Sequence, residues 1–123
     1  MPQNLGQGNA QYTPIVAAGT NTLNPGPALT GGFRVPQPPT TFGVLYGVDT
    51  IAAGTGFAYT LVDMIAPTGL GTNTATVTNT LMNGTDTAGT SRSAGVSGVG
   101  VRYSGALVCI TTGTPGQINV AWD

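Results

Sequence analysis

Residues 96–122, VSGVGVRYSGALVCITTGTPGQINVAW, decide the fold class of this 123-residue chain. Three strand-length apolar segments alternate here with Gly and Pro, without a helical period. The middle segment, residues 106–112, is apolar on both faces. The outer segments place apolar residues on one face, namely Val99, Val101 and Tyr103 in the first and Ile118, Val120 and Trp122 in the last. Because Pro115 followed by Gly116 suits the central positions of a type II turn, we predict a hairpin between the last two strands.

Strand-length segments also recur upstream, at residues 41–48, 56–66 and 73–82, between Gly, Asn and Pro breaks. Residues 56–66 are mostly apolar on both faces, which is typical of a central strand covered on two sides or facing another chain. The chain is therefore predicted to be all-β, a compact β-sandwich or barrel that is jelly-roll-like, with an extended Pro/Gly-rich N-terminal arm.

The N-terminal third differs from the rest, because seven of the nine prolines lie at or before Pro39. Proline fixes φ and lacks a backbone N–H, so interior strands are not expected there. We assign residues 1–42 to an extended N-terminal arm and residues 43–123 to the β-sandwich or barrel domain. Two alternatives stay open for the arm: a disordered tail, or a segment ordered by lying over a neighbouring subunit. Short apolar patches at residues 12–18 and 28–35 could also add to a sheet edge.

Charged residues are scarce, with three Arg, four Asp, no Lys, Glu or His, and a net charge of −1. Without His, a zinc site, a Ser-His-Asp triad or a His general base cannot form within one chain. Three Arg cannot neutralise nucleic-acid phosphates, and no stretch approaches the ~20 apolar residues of a membrane helix. We predict a protein that is not an enzyme, with no catalytic residues, metal or cofactor, and with no small-molecule substrate, nucleic acid or membrane as a partner.

The single cysteine, Cys109, lies in the apolar run 107–110 and is predicted to be a buried, inert thiol. The first residues lack the basic and apolar regions of a secretory signal, so synthesis in the cytoplasm is expected. If the arm takes about 40 residues, about 80 remain for the core, a size at which stability is marginal without disulfides or metals. Oligomerisation is the expected further source of stability.

Residues 100–110, GVRYSGALVCI, are followed by a Thr/Gly/Pro turn and a short closing strand from Ile118 to Trp122. This pattern resembles the C-terminal parts of small structural proteins of tailed-phage virions. The Gly/Thr/Pro-rich composition is similar to that of capsid decoration (cement) proteins. The resemblance implies a β-sandwich or barrel, often a homotrimer, attached to the major capsid protein on the capsid surface. It implies no catalytic residues.

The leading hypothesis is a non-enzymatic virion structural protein, assembled in the host cytoplasm, that decorates and stabilises a phage capsid as an oligomer. Apolar area and added strands buried across subunit boundaries would raise the free energy needed to separate capsomers. The residues predicted to contact a neighbouring subunit or the capsid are Tyr12, Ile15, Phe33, Arg34, Val35, Arg102 and Trp122.

The alternative is a domain of a phage head or tail fibre that binds a carbohydrate or a host receptor. Aromatic rings have an apolar face on which a sugar ring can stack. The candidates for this role are Tyr12, Tyr46, Tyr59, Tyr103 and Trp122.

Overall fold

The computed structural model describes residues 10–25, 29–30, 33–34, 43–65, 77–95 and 98–123. These residues form β-strands joined by turns, and the described ranges contain no helix long and apolar enough to cross a membrane. β-branched Thr and Val favour strands, and the many glycines favour the turns between them. The strands are β1 (Gln11–Ile15), β2 (Gly19–Asn24), β3 (Leu29–Thr30), β4 (Phe33–Arg34), β5 (Gly43–Ala52), β6 (Thr55–Ile65), β7 (Val77–Gly84), β8 (Ser91–Ser93), β9 (Val101–Tyr103), β10 (Ala106–Thr114) and β11 (Gln117–Trp122).

Two antiparallel sheets make up the fold. Sheet A has the order β1-β11-β5-β8, with β9 also paired to β5, and sheet B has the order β2-β10-β6-β7. The short strands β3 and β4 pair with each other in a separate two-stranded unit. The all-β class is confirmed, and the two sheets are arranged as in a sandwich.

The strands of the two sheets pair in a nested order. β1 pairs with β11, β2 with β10, β5 with β8 and β6 with β7. The predicted hairpin between the last two strands is wrong, because β10 lies in sheet B and β11 in sheet A. The turn at Pro115 and Gly116 therefore carries the chain from one sheet to the other. Turn residues specify a reversal of the chain, but not whether the strands on either side share a sheet.

The β5–β6 and β10–β11 connections pack against each other at one end of the sandwich. A Cβ at Gly116 would meet the carbonyl oxygen of Ala52, and a Cβ at Gly54 would meet that of Thr114. Gly54 also has a φ of +62°, which L side chains rarely adopt. Glycine is required here because the two backbones approach too closely for a side chain.

The main core lies between the sheets and draws on both of them. Its members include Ile15, Leu45, Val48, Tyr103, Ile118, Val120 and Trp122 from sheet A, and Phe57, Tyr59, Leu61, Leu107 and Cys109 from sheet B. Burying a large apolar side chain contributes about 1.5–3 kcal/mol. The predicted burial of Cys109 is confirmed. A smaller cluster of Val62, Ala106 and Val108, with Met64 against it, shows that β6 and β10 bury apolar residues on both faces, as predicted.

Part of the segment assigned to the arm belongs to the sandwich. β1 pairs with β11 from Gln11 opposite Trp122 to Ile15 opposite Ile118, and β2 pairs with β10. These two strands form one edge of each sheet. The apolar patch at residues 12–18, which could add to a sheet edge, overlaps β1 but not β2. Residues 1–9, 26–28, 31–32 and 35–42 lie outside the described residues.

Strands β8 and β9 follow one another along β5 as a single interrupted edge strand. Ser93 lies opposite Gly47 and Val101 opposite Leu45, with residues 94–100 inserted between them. The amide of Gly100 donates a 3.0 Å hydrogen bond to the carbonyl of Ala94 and closes this insertion. Of the strand expected around residues 96–104, Val101–Tyr103 forms β9, and residues 96–97 lie outside the described residues. Val99, expected to share its face, lies in the insertion and is 72% exposed.

Candidate functional site

The outer face of sheet A, which points away from the core, carries a shallow depression of about 140 Å³. A row of residues crosses four strands here, with Tyr12 opposite Ala121, Ala121 opposite Gly47 and Gly47 opposite Ser93. Along this row a large aromatic ring is followed by a methyl group, a bare Cα and a small hydroxymethyl group. Beside Tyr12 the side chain of Ala121 is only a methyl group, and at Gly47 the backbone of β8 approaches so closely that a Cβ would meet the carbonyl oxygen of Arg92.

A second, polar row lies next to the first on the same face. Asn119 lies opposite Asp49, and Asp49 lies opposite Ser91. Directly opposed residues have Cβ atoms about 4.5–5.5 Å apart, so neighbouring side chains of this row can bind one ligand together. The side-chain oxygen of Asn119 accepts a 3.3 Å hydrogen bond from Nε2 of Gln117, which leaves the Asn119 NH₂ group to donate elsewhere.

The carboxylate of Asp49 has no partner among the described residues, which neither hydrogen-bond nor ion-pair with it. Asp49 is half-buried and belongs to the lining of the depression. Its two carboxylate oxygens can therefore accept hydrogen bonds from a bound molecule.

Two aromatic rings line the depression and differ in exposure. Tyr46 is buried, and this burial, with the Asp123 carboxylate adding to it, raises the pKa of its hydroxyl. Tyr12 is 56% exposed. Tyr12 therefore supplies the accessible aromatic surface of the depression.

A charged cluster joins the two sheets near the β7–β8 connection. Arg92 donates to both carboxylate oxygens of Asp86, with Nε 3.0 Å from Oδ2 and Nη2 2.9 Å from Oδ1. The hydroxyl of Tyr59 donates to Asp86 Oδ2 at 2.9 Å. The hydrogen bonds from Arg92 are the main cause that lowers the pKa of Asp86, and burial is the main cause that raises the pKa of Tyr59. Each group is engaged by another, so the cluster has a structural role.

Asp63 is a buried carboxylate to which sequence reasoning assigned no role. Its oxygens accept hydrogen bonds from the backbone amides of Ser104, at 3.0 Å, and Gly105, at 2.8 Å, in the β9–β10 turn. Asp63 is the one acid inside an otherwise apolar segment. This pattern indicates a carboxylate with hydrogen-bond partners, because a buried charge is stable only when it is paired or hydrogen-bonded. Those partners lie 41 and 42 residues away, so the sequence does not identify them.

Two of the residues predicted to contact a neighbour lie in the core of the chain itself. Ile15 is 4% and Trp122 is 8% exposed. Nε1 of Trp122 donates a 3.0 Å hydrogen bond to Oγ1 of Thr13, which ties β11 to β1. These side chains stabilise the fold and present little surface to another molecule.

The other predicted contact residues are distributed over several elements. Tyr12 is exposed on β1, and Arg102 is exposed on β9. Phe33 and Arg34 form β4 and pair with β3. Val35 lies outside the described residues.

Reactive groups are sparse in the part of the chain that the structure describes. These residues include no group of three or more His, Cys, Asp or Glu that could hold a metal ion. Cys109 is fully buried, and this burial raises the pKa of its thiol to about 12.

No family model, curated protein or solved structure matches this chain.

Proposed function

We propose that the chain is a non-enzymatic virion structural protein that decorates and stabilises a phage capsid as an oligomer. The order of the strands is the observation that carries this proposal. With β8 and β9 counted as one strand and the β3–β4 pair set aside, strand one pairs with eight, two with seven, three with six and four with five. This nested order is that of a jelly roll, the double Greek key that viral capsid domains share with lectins and cupins.

A shared fold does not by itself establish a shared function. The low charge of the chain is a second observation that supports a role in assembly. The chain has seven formal charges and a net charge of −1. Asp63 and Asp86 are engaged in internal contacts. Copies of so neutral a protein can lie side by side without strong electrostatic repulsion.

One end of the sandwich is the surface that we assign to contact with the capsid or a neighbouring copy. It carries the β1–β2, β5–β6, β7–β8 and β10–β11 connections. Val16 is 59% and Ile51 is 49% exposed there. Asp86 is the one ionisable side chain in these four connections, and it is ion-paired with Arg92. This end can therefore be buried against a partner without desolvating an unpaired charge.

The N-terminal segment supplies a second contact in this proposal, by reaching over the shell or over a neighbouring copy. The segment that does so precedes β1, because Ile15 is a core residue. The partners are the major capsid protein and further copies of the chain, arranged as the trimer that the resemblance to decoration proteins implies.

Binding of the purified chain to particles assembled without it tests this function. The chain should bind at a fixed stoichiometry and raise the temperature at which the particles come apart. Val16→Lys and Ile51→Lys should each weaken binding by about tenfold, because each places an unpaired charge in the contact. Ile110→Lys is the matched control, since Ile110 is a partly exposed residue of β10 away from the connections.

Deletion of residues 1–9 tests the N-terminal contact without removing a described strand. A deletion to residue 40 would also remove β1 and β2, so it would test folding instead. Undiminished binding after the short deletion would exclude the N-terminal contact. A folded chain that neither binds nor stabilises the particles would overturn the proposed function.

Of the five aromatic residues that the fibre-domain alternative proposed for stacking on a sugar, one is exposed in the structure. Tyr46, Tyr59, Tyr103 and Trp122 are each at most 9% exposed, so their faces are not available for stacking. Tyr12 remains exposed beside the depression on sheet A.

A further inference from the structure

We propose that the depression on the outer face of sheet A is a binding site for a single sugar ring, with Tyr12 as the stacking surface and Asp49 as the main hydrogen-bond acceptor. The residues that line this site are different from those assigned to the apolar end. The inference does not depend on the proposed structural function.

The shape of the depression suits a flat ligand lying on the sheet. Ala121 contributes only a methyl group to its lining, Gly47 contributes backbone that lies close against β8, and Tyr12 stands at one side of it. Its volume of about 140 Å³ is below the roughly 300–1,000 Å³ of pockets that enclose drug-sized ligands. One ring in open contact with the sheet fits this size.

The polar groups around the depression complement hydroxyl groups. A sugar hydroxyl can donate one hydrogen bond and accept others, so it suits a carboxylate next to N–H and O–H donors. Asp49 supplies the acceptor, and the hydroxyls of Ser91 and Ser93 supply donors in the lining of the depression. Asn119 lies next to this lining, opposite Asp49 on the neighbouring strand. A hydrogen bond to a charged acceptor is stronger than one between neutral groups.

Two of the other three Asp carboxylates, unlike that of Asp49, accept hydrogen bonds from described residues. Asp63 accepts two backbone amides, and Asp86 is bonded to Arg92 and Tyr59. Asp123 is the C-terminal residue. Asp49 lies on the central strand β5, and no described residue donates a hydrogen bond to its carboxylate. Arg92 also lines the depression, and its guanidinium group is ion-paired with Asp86.

A titration of the full-length ¹⁵N-labelled chain with glucose, galactose, mannose and N-acetylglucosamine, followed by amide shifts, tests the site. At least one sugar should shift the amides of Gly47, Asp49, Ser93 and Ala121 with a dissociation constant in the millimolar range, as expected for one exposed ring. Tyr12→Ala and Asp49→Asn should each weaken this binding by about tenfold. Val16→Ala and Asp123→Asn are the matched controls and should bind as the unaltered chain does.

Ala121→Leu provides a second test, because it fills the depression and removes no polar group. It should abolish binding, with a thermal melt showing that the sandwich is retained; if the variant does not fold, Asp49→Asn decides the test. The proposal is overturned if none of the sugars shifts these amides, or if binding survives Asp49→Asn. It is also overturned if ethylammonium shifts the same amides and the sugars do not, since Asp49 would then serve a cation.

Discussion

Tyr59 of sheet B donates a 2.9 Å hydrogen bond to Asp86, which in turn is bonded to Arg92 of sheet A. The three side chains connect β6 to β8 through the β7–β8 connection. The side chain of Asp86 is 8% exposed and its bond from Tyr59 is partly buried, whereas the Arg92 side chain is 48% exposed. This relationship holds the two sheets together at the edge opposite β1 and β2.

Removal of the Tyr59 hydroxyl should weaken the sandwich. We expect Tyr59→Phe to lower the free energy of unfolding by about 1–2 kcal/mol, because a buried carboxylate oxygen loses a donor. Urea denaturation measures this change. Tyr46→Phe is the control and should stay within about 0.5 kcal/mol, since no described residue hydrogen-bonds to the Tyr46 hydroxyl. Equal effects of the two substitutions would contradict the role given to Asp86.

The same cluster predicts a loss of stability in acid. Arg92 lowers the pKa of Asp86 in the folded chain, so its contribution is fully present above the ordinary aspartate pKa of about 3.9. The contribution is lost as the pH falls through the lowered pKa. Asp86→Asn should therefore be less stable at neutral pH and lose less stability on acidification. Parallel stability curves for the two proteins across the acid range would show that the pair contributes nothing.

Asp63→Asn should destabilise the chain at the β9–β10 turn. The amide NH₂ would face the backbone N–H of Ser104 or Gly105, and one buried donor would lose its acceptor. We expect a loss of about 1–3 kcal/mol in urea denaturation. Asp49→Asn removes a charge at the surface without removing a hydrogen bond to a described residue, so its effect should be below about 0.5 kcal/mol. If Asp63→Asn left the free energy of unfolding unchanged, the turn would not need this carboxylate.

Ile15→Ala should destabilise the whole sandwich, because Ile15 lies in the core with residues of both sheets. Truncation of a buried Ile costs about 2–5 kcal/mol. Val16→Ala, at the exposed neighbouring position, should change stability by no more than about 0.5 kcal/mol. Both proteins should unfold in one transition, by fluorescence of Trp122 and by circular dichroism. A separate early loss of β1 would mean that this strand docks independently of the domain.

Cys109 should react slowly with thiol reagents in the folded chain. Burial disfavours the thiolate and raises the thiol pKa to about 12, so the nucleophilic form is scarce near neutral pH. Labelling with a chromogenic disulfide should proceed only through opening of the fold and accelerate in guanidinium chloride. An exposed thiol in Thr20→Cys is the control and should react rapidly. Fast labelling of native Cys109 would contradict its burial.

The strands themselves were predictable from local pattern. Alternation of apolar and polar residues at Ile118, Val120 and Trp122 identifies a strand with one buried face, and the structure buries all three. The burial of Cys109 followed from its apolar neighbours in the same way. The depression was not predictable, because Tyr12, Ala121, Gly47 and Ser93 come from four strands and meet only through the register.

The sequence by itself determined the β class, the approximate positions of most strands and the scarcity of reactive groups, since these depend on side-chain period and composition. The tertiary structure alone decided the pairing of strands, and with it the placement of β10 and β11 in different sheets. It also decided that Ile15 is a core residue and that Asp63 and Asp86 have partners while no described residue engages Asp49. The physical reason is that pairing and burial depend on contacts between distant segments, which local propensity does not encode.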